Sequence, residues 1–196
     1  MMHRALSWIA IMAAITALAV PIASAVDRSV GAPPRNIAPR VVADLLHAVI
    51  MAHRNFYTIH IVNPLLQEGI VDVSEDWRAK KALPLPVQLL QETSEMAELA
   101  GPGVQYHLIS QWPINKANAP VTEFERRGLE AVQANPTQPY SATFKGSNGQ
   151  RFGTLYADLA VTRVCIDCHN THSNSPRSDF KVGDVMGGLV ISFPLP

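Results

Sequence analysis

The feature that most constrains this chain is the pentapeptide Cys165-Ile166-Asp167-Cys168-His169, which contains both cysteines of the 196-residue sequence. C-x-x-C-H is the attachment signature of a c-type haem. Two thiols at this spacing each add to one porphyrin vinyl group as thioethers, and the imidazole that follows is held beneath the iron as its proximal ligand. Competing chemistries fit less well. A disulfide between Cys165 and Cys168 would close a tiny loop and restrict the unfolded chain little. A thioredoxin-like redox pair wants a strand-to-helix junction, whereas Asn170 to Asp179 reads as loop. A zinc site from Cys165, Cys168, His169 and His172 would take four ligands from one short run, where structural zinc draws on two separated pairs.

Residues 1–25 read as a cleavable export signal. Arg4 gives a positive start, Ala5 to Val20 is apolar, and Ala23-Ser24-Ala25 supplies a small-residue cleavage pattern. The alternative is an N-terminal membrane anchor, but the apolar run is shorter than the roughly twenty residues that span a bilayer. An exported, periplasmic location suits a haem whose thioethers form outside the bacterial cytoplasm, and no stable membrane span is expected after cleavage. Residues 26–40 read as an extended leader with Pro33, Pro34 and Pro39, and residues 41–196 as one domain large enough for a core. With 16 basic and 16 acidic residues, nothing recruits nucleic acid or an anionic membrane electrostatically.

Hydrophobic periodicity predicts a first helix over Val41 to Asn63, with Val42, Leu46, Val49, His53, Phe56 and His60 on one face and Pro64 as its end. Buried imidazoles on an apolar stripe need partners. His53, nearer the helix centre, is therefore the first candidate for the second axial iron ligand and His60 the second. Met51 comes third, because it and His47 fall on the opposite face; His107, Met96 and Met186 complete the set. Leu66 to Leu83 reads as loop, its Arg78, Lys80 and Lys81 either solvated or available to haem propionates. A second helix opens at Pro84-Leu85-Pro86 and stops at Gly101-Pro102-Gly103. Val104 to Ser110 alternates as a strand, Val104, Tyr106 and Leu108 on one side. Val121 to Ala134 is a third helix whose Glu123, Glu125, Arg126, Arg127 and Glu130 are expected in solvent. Tyr140 to Lys145 and Arg151 to Thr162 make a hairpin, and Leu189 to Phe193 is the last strand. Gly187-Gly188 before it permits a bulge or a close approach of backbone to a flat ligand. This order predicts an α+β fold, a PAS-like antiparallel sheet with N-terminal helices packed against it and one covalent haem. It is unlike the small all-helical cytochromes, whose attachment motif lies near the N-terminus.

Several stretches together resemble one family, the Tll-type monohaem c domain. They are Leu108-Ile109-Ser110-x-Trp112-Pro113-Ile114-Asn115, Glu123-Phe124-Glu125 through Gly128-Leu129-Glu130-Ala131, and Tyr156-Ala157-Asp158. The most specific runs from Cys165-x-x-Cys168-His169-Asn170-x-His172 through Ser175-Pro176, Asp179-Phe180-Lys181 and Gly183-Asp184-Val185 to Gly187-Gly188. The resemblance covers roughly Arg40 to Phe193. It implies a PAS-like haem domain that occurs alone in exported proteins and as the sensing module of histidine kinases and chemoreceptors. It also implies a single haem c joined to Cys165 and Cys168, with His169 proximal. Some relatives supply a second iron ligand as a cysteine from the first helix; this chain has no third cysteine.

The leading functional expectation is a haem-binding module for redox or small-molecule sensing, or for electron transfer. It would work through a separate redox or signalling partner, and no substrate-turnover site is identified. The alternative is a periplasmic thiol-disulfide oxidoreductase using Cys165 and Cys168. A haem enzyme with His107 or Arg151 poised over the iron ranks last.

Overall fold

The computed structural model describes residues 37–195 other than Pro102 and Asn148, so the export signal and most of the leader lie outside the described residues. Helix α1 (Pro39–Phe56) begins earlier than periodicity suggested. Pro39 and Arg40, assigned above to the extended leader, form its first turn, where a missing proline N–H is tolerated. Nor does Pro64 end the helix. The chain widens into π turns over Tyr57–Val62 and continues as α2 (Asn63–Gln67). Pro64 has no N–H to return to the preceding turn, and the wider turn ahead of it absorbs the loss.

The expected loop holds one short helical turn, α3 (Trp77–Lys80), bracketed by a bridge between Val73 and Leu83. Helix α4 (Pro86–Leu99) opens on a proline, and the Gln88 side chain accepts from the Leu85 amide at 2.9 Å. Then come β1 (Gln105–Ile109), α5 (Glu123–Ala134), β2 (Tyr140–Gly146), β3 (Gly149–Leu159), α6 (Arg163–Thr171) and β4 (Val185–Pro194). The four strands form one antiparallel sheet in the order β1-β4-β3-β2. The last strand of the chain therefore sits inside the sheet, buried on both faces from Val185 to Ser192.

Three layers result. On one face Ala43 and Ile50 of α1 and Leu90 of α4 pack on Tyr106, Tyr156, Leu189 and Ile191. On the other, Phe124, Leu129 and Val132 of α5 pack on Ile109, Leu155 and Val190. The alternation in β1 follows the sequence, with Tyr106 and Leu108 toward one layer and Ile109 toward the other. Among the described residues no helix is long and apolar enough to cross a membrane.

The phase of α1 differs from the expectation. Its inward stripe contains Ala43, Ile50, Thr58 and Val62, with His47 and Arg54 half-buried. Of the expected stripe Leu46 packs against the core, but Val49, His53, Phe56 and His60 are exposed, Phe56 by 59%. Two of the inward polar side chains have their own partners. His47 stacks on Tyr156 with ring centroids 3.9 Å apart, and the Thr58 hydroxyl donates to the Arg54 carbonyl at 2.8 Å.

Gly187 and Gly188 serve packing within the fold. A Cβ at Gly187 would lie 2.2 Å from the Ile109 carbonyl oxygen, and one at Gly188 would lie 2.5 Å from the Leu155 side chain. The β3–β4 register also slips here: Asp158 faces Gly187 and Leu159 faces Val185, a bulge at Met186. Gly187→Ala should cost about 1–3 kcal/mol through overpacking against backbone. A thermal melt should then show Tm lowered by roughly 2–12 °C; an unchanged melt would mean that the strand ends are not in close contact.

Candidate functional site

Where β3 leads into α6, a cleft of about 530 Å³ opens beside the bulge. Its size is ordinary for a cofactor site, typically ~300–1,000 Å³. Cys165, Cys168 and His169 line it from α6, Arg54, Thr58 and Val62 from the first helix, and Met186 and Gly187 from β4. Glu75, Asp76 and Lys80 stand at its exposed rim.

The C-x-x-C-H run lies on helix α6, which follows the Thr162 N-cap directly after β3. The strand-to-helix junction that a redox pair would want is therefore present, and the expected loop begins at His172, two residues later than the sequence suggested. Both thiols are free. Burial first, then the neighbouring Cys165 and Glu75, pushes the Cys168 thiol up, the opposite of an activated thiolate. Among the described residues no group of three or more His, Cys, Asp or Glu side chains is placed to hold a metal ion, so the four-ligand zinc arrangement does not form.

His169 is pinned from several sides. Its ring meets Phe180 edge-on at 6.0 Å between centroids. Phe180 is held by Asn170, whose Nδ2 donates to the Phe180 carbonyl and whose Oδ1 accepts from the Phe180 amide, both at 2.9 Å. Phe180, Met186 and Ala160 then pack with Trp112, Cys165 and Ile166 beneath α6. The Ser110 hydroxyl donates to the Met186 carbonyl at 2.6 Å and accepts from the Trp112 amide at 2.9 Å, tying the β1 exit to the same cluster. Burial pushes the His169 imidazole down, against the pull of Asp158. A neutral imidazole carries the lone pair that a metal needs. Its buried Nδ1 has no partner among the described residues.

The remaining sequence candidates scatter. His53 and His60, proposed as the second axial ligand, do not line the cleft, because the helix turns that face outward. Met51 is half-buried in the layer between α1 and the sheet, and Met96 is exposed. Met186 and His172 do reach the cleft. His172 accepts from the Asn174 amide through Nδ1 at 3.1 Å. Of the basic cluster Arg78, Lys80 and Lys81 only Lys80 lines the cleft; Arg78 is gripped by Glu92 at 2.8 and 2.9 Å and lies over Trp77. His107 and Arg151 do not line it either. Arg151 bonds the Gly103 carbonyl and Ser192. His107 contacts Glu125 at 2.9 Å.

Glu125 itself is buried, not solvated as expected. It closes a capping box with Thr122 and accepts from the Val121 and Thr122 amides, each at 2.8 Å. Burial alone would raise its carboxyl, but the bonds from His107 and those amides outweigh burial and hold it at about 2. A second missed feature lines the cleft: Arg54 and Asp158 form a bidentate pair, each side chain 11% exposed. Asp158 stood in the Tyr-Ala-Asp stretch without a role. Arg54 fell between the apolar positions, and only the true helix phase brings it inward.

A family model described as Tll0287-like matches residues 38–194. The chain belongs to the Tll0287-like family. The match spans the whole described domain, including the α6 motif and the loop that Asn170 secures. No curated protein matches the chain. A solved structure, that of the cyanobacterial heme-protein Tll0287, is similar over 81% of this chain and 97% of its own at 18% identity, with a TM-score of 0.49. At that distance the likeness carries no argument about the site.

Two outcomes are expected of this Tll0287-like domain. Asn170→Ala should cost about 1–3 kcal/mol by leaving the Phe180 amide and carbonyl unpaired. Amide exchange should then speed up in residues 173–184 before it does in the sheet; uniform protection would contradict the pinning. For Glu125, the folded carboxyl lies below its ordinary 4.5, so its contribution is present above that pH and is lost as pH falls toward 2. Urea midpoints measured across this window should drop more steeply for the natural chain than for Glu125→Gln.

Proposed function

We propose that this chain is an exported monohaem protein, with one haem c joined to Cys165 and Cys168 and its iron held by His169. It would serve redox or small-molecule sensing, or electron transfer to a separate partner protein, in place of substrate turnover. The observation that carries the reading is convergence: the chain's two thiols and a half-buried imidazole, its Nδ1 unpaired among the described residues, line one cofactor-sized cleft. The residues present fit the group. When bound, the haem supplies a one-electron redox couple and an axial coordination position.

The chain's own contributions are distinct. Helix α6 presents both thiols and the imidazole on adjacent turns. Phe180 stands edge-on against the His169 ring, and with Ala160 and Met186 it forms an apolar cluster that also packs Cys165. Lys80 at the rim offers a cation to a propionate. Membership of the Tll0287-like family and the strength of the C-x-x-C-H signature support the same reading.

Thiol–disulfide exchange is the second reading, favoured by the motif's place at a strand-to-helix junction and opposed by the raised Cys168 thiol. One experiment separates the two. Expressed with cytochrome c maturation machinery, the protein should keep its colour through acid-acetone extraction and give a pyridine haemochrome with one haem per chain. Changing Cys165 and Cys168 together to alanine should abolish attachment, and His169→Ala should alter the iron spectrum while haem stays bound. Colour lost on extraction, with two titratable thiols remaining, would overturn the haem reading and leave exchange chemistry standing.

A further inference from the structure

A buried ion pair seldom repays its desolvation as stability, since apolar replacements of similar volume are often as stable or more so. The Arg54–Asp158 pair is such a case. It joins α1 to the end of β3, both side chains are 11% exposed, and a second contact of the pair measures 3.3 Å. Three facts set it apart from an ordinary brace. Both side chains line the same cleft as His169. Arg54 Nε is buried and has no partner among the described residues. Asp158 stands opposite Gly187 at the bulge, where the sheet gives way to α6.

Resting on the haem reading above, we infer that Arg54 and Asp158 are positioning residues that set the reduction potential of the iron through their opposed charges. One-electron reduction lowers the charge at the iron by one. A nearby carboxylate favours the oxidised form, and a nearby guanidinium favours the reduced form. Away from bulk water such effects are several times stronger than across solvent. The other charges on the cleft, Glu75, Asp76 and Lys80, are exposed at the rim, where salt screens them. The buried pair therefore dominates. Its near-cancellation makes the potential responsive to either partner.

The test is mediated spectroelectrochemical titration of the haem-loaded full chain, with a pyridine haemochrome on every variant. Asp158→Asn should move the midpoint potential in the positive direction and Arg54→Gln in the negative direction. Their combination should return toward the natural value, and Arg54→Lys should remain near it. A merely structural brace would move both single variants the same way, by admitting water, or move neither; either result overturns the inference. Should Arg54→Gln fail to fold, Arg54→Met combined with Asp158→Leu replaces it. This neutral pair must then titrate below Asp158→Asn, and a midpoint at or above that variant counts against the inference. Absence of covalent haem from the natural chain would instead defeat the proposed function, so the two failures are distinguishable.

Discussion

The site depends on one side chain's paired hydrogen bonds. Asn170, at the end of α6, both donates to and accepts from the backbone of Phe180. This closes the loop after the motif into a fixed ring of chain. Phe180 can then stand against His169 and pack with Met186, and β4 enters the sheet in the register that places Gly187 beside Asp158. Because β4 lies between β1 and β3, the segment following the cofactor motif is also the centre of the fold. Attachment helix and core are thus mechanically joined. A change that loosens the loop reaches the sheet within a few residues.

The α5 side of the sheet shows how closely the layers meet. Gly128 and Gly188 both face Leu155, and a Cβ on either would approach its side chain to 2.7 or 2.5 Å. The helix therefore lies low on β3 and β4. Glu125 fixes its N-terminus with backbone bonds from Val121 and Thr122. The opposite face carries α1 and α4 and, at its end, the cleft. One layer holds the sheet rigid while the other presents the site.

Much of this was legible in the sequence, for identifiable reasons. The strands alternate strongly and the hairpin has its glycine turn, so the α+β order followed from local signals. The C-x-x-C-H run stood out because the chemistry proposed for it needs that spacing. The first helix was not legible. Apolar residues occur on both its sides, Val41, Leu45, Val49 and Phe56 outward and Ala43, Leu46 and Ile50 inward, so a rule that buries the apolar face does not fix its phase. The inward stripe is satisfied by partners distant in sequence: Asp158 for Arg54, Tyr156 for His47. That error of phase put His53 and His60 in the site and left Arg54 and Thr58 out of it. Glu125 was missed for a related reason, since a charge on a helix reads as solvated until the backbone amides that it accepts from are known.

The account's central claim is that Cys165 and Cys168 carry a haem in this cleft. Tryptic mapping of the protein, matured with the cytochrome c machinery and fully denatured, tests it most directly. Cleavage after Arg163 and Arg177 releases one peptide, Val164 to Arg177, that holds both cysteines and His169. The account predicts that this peptide alone absorbs in the Soret region and carries the added mass of one haem. The same peptide recovered as free thiols or as an internal disulfide would contradict it.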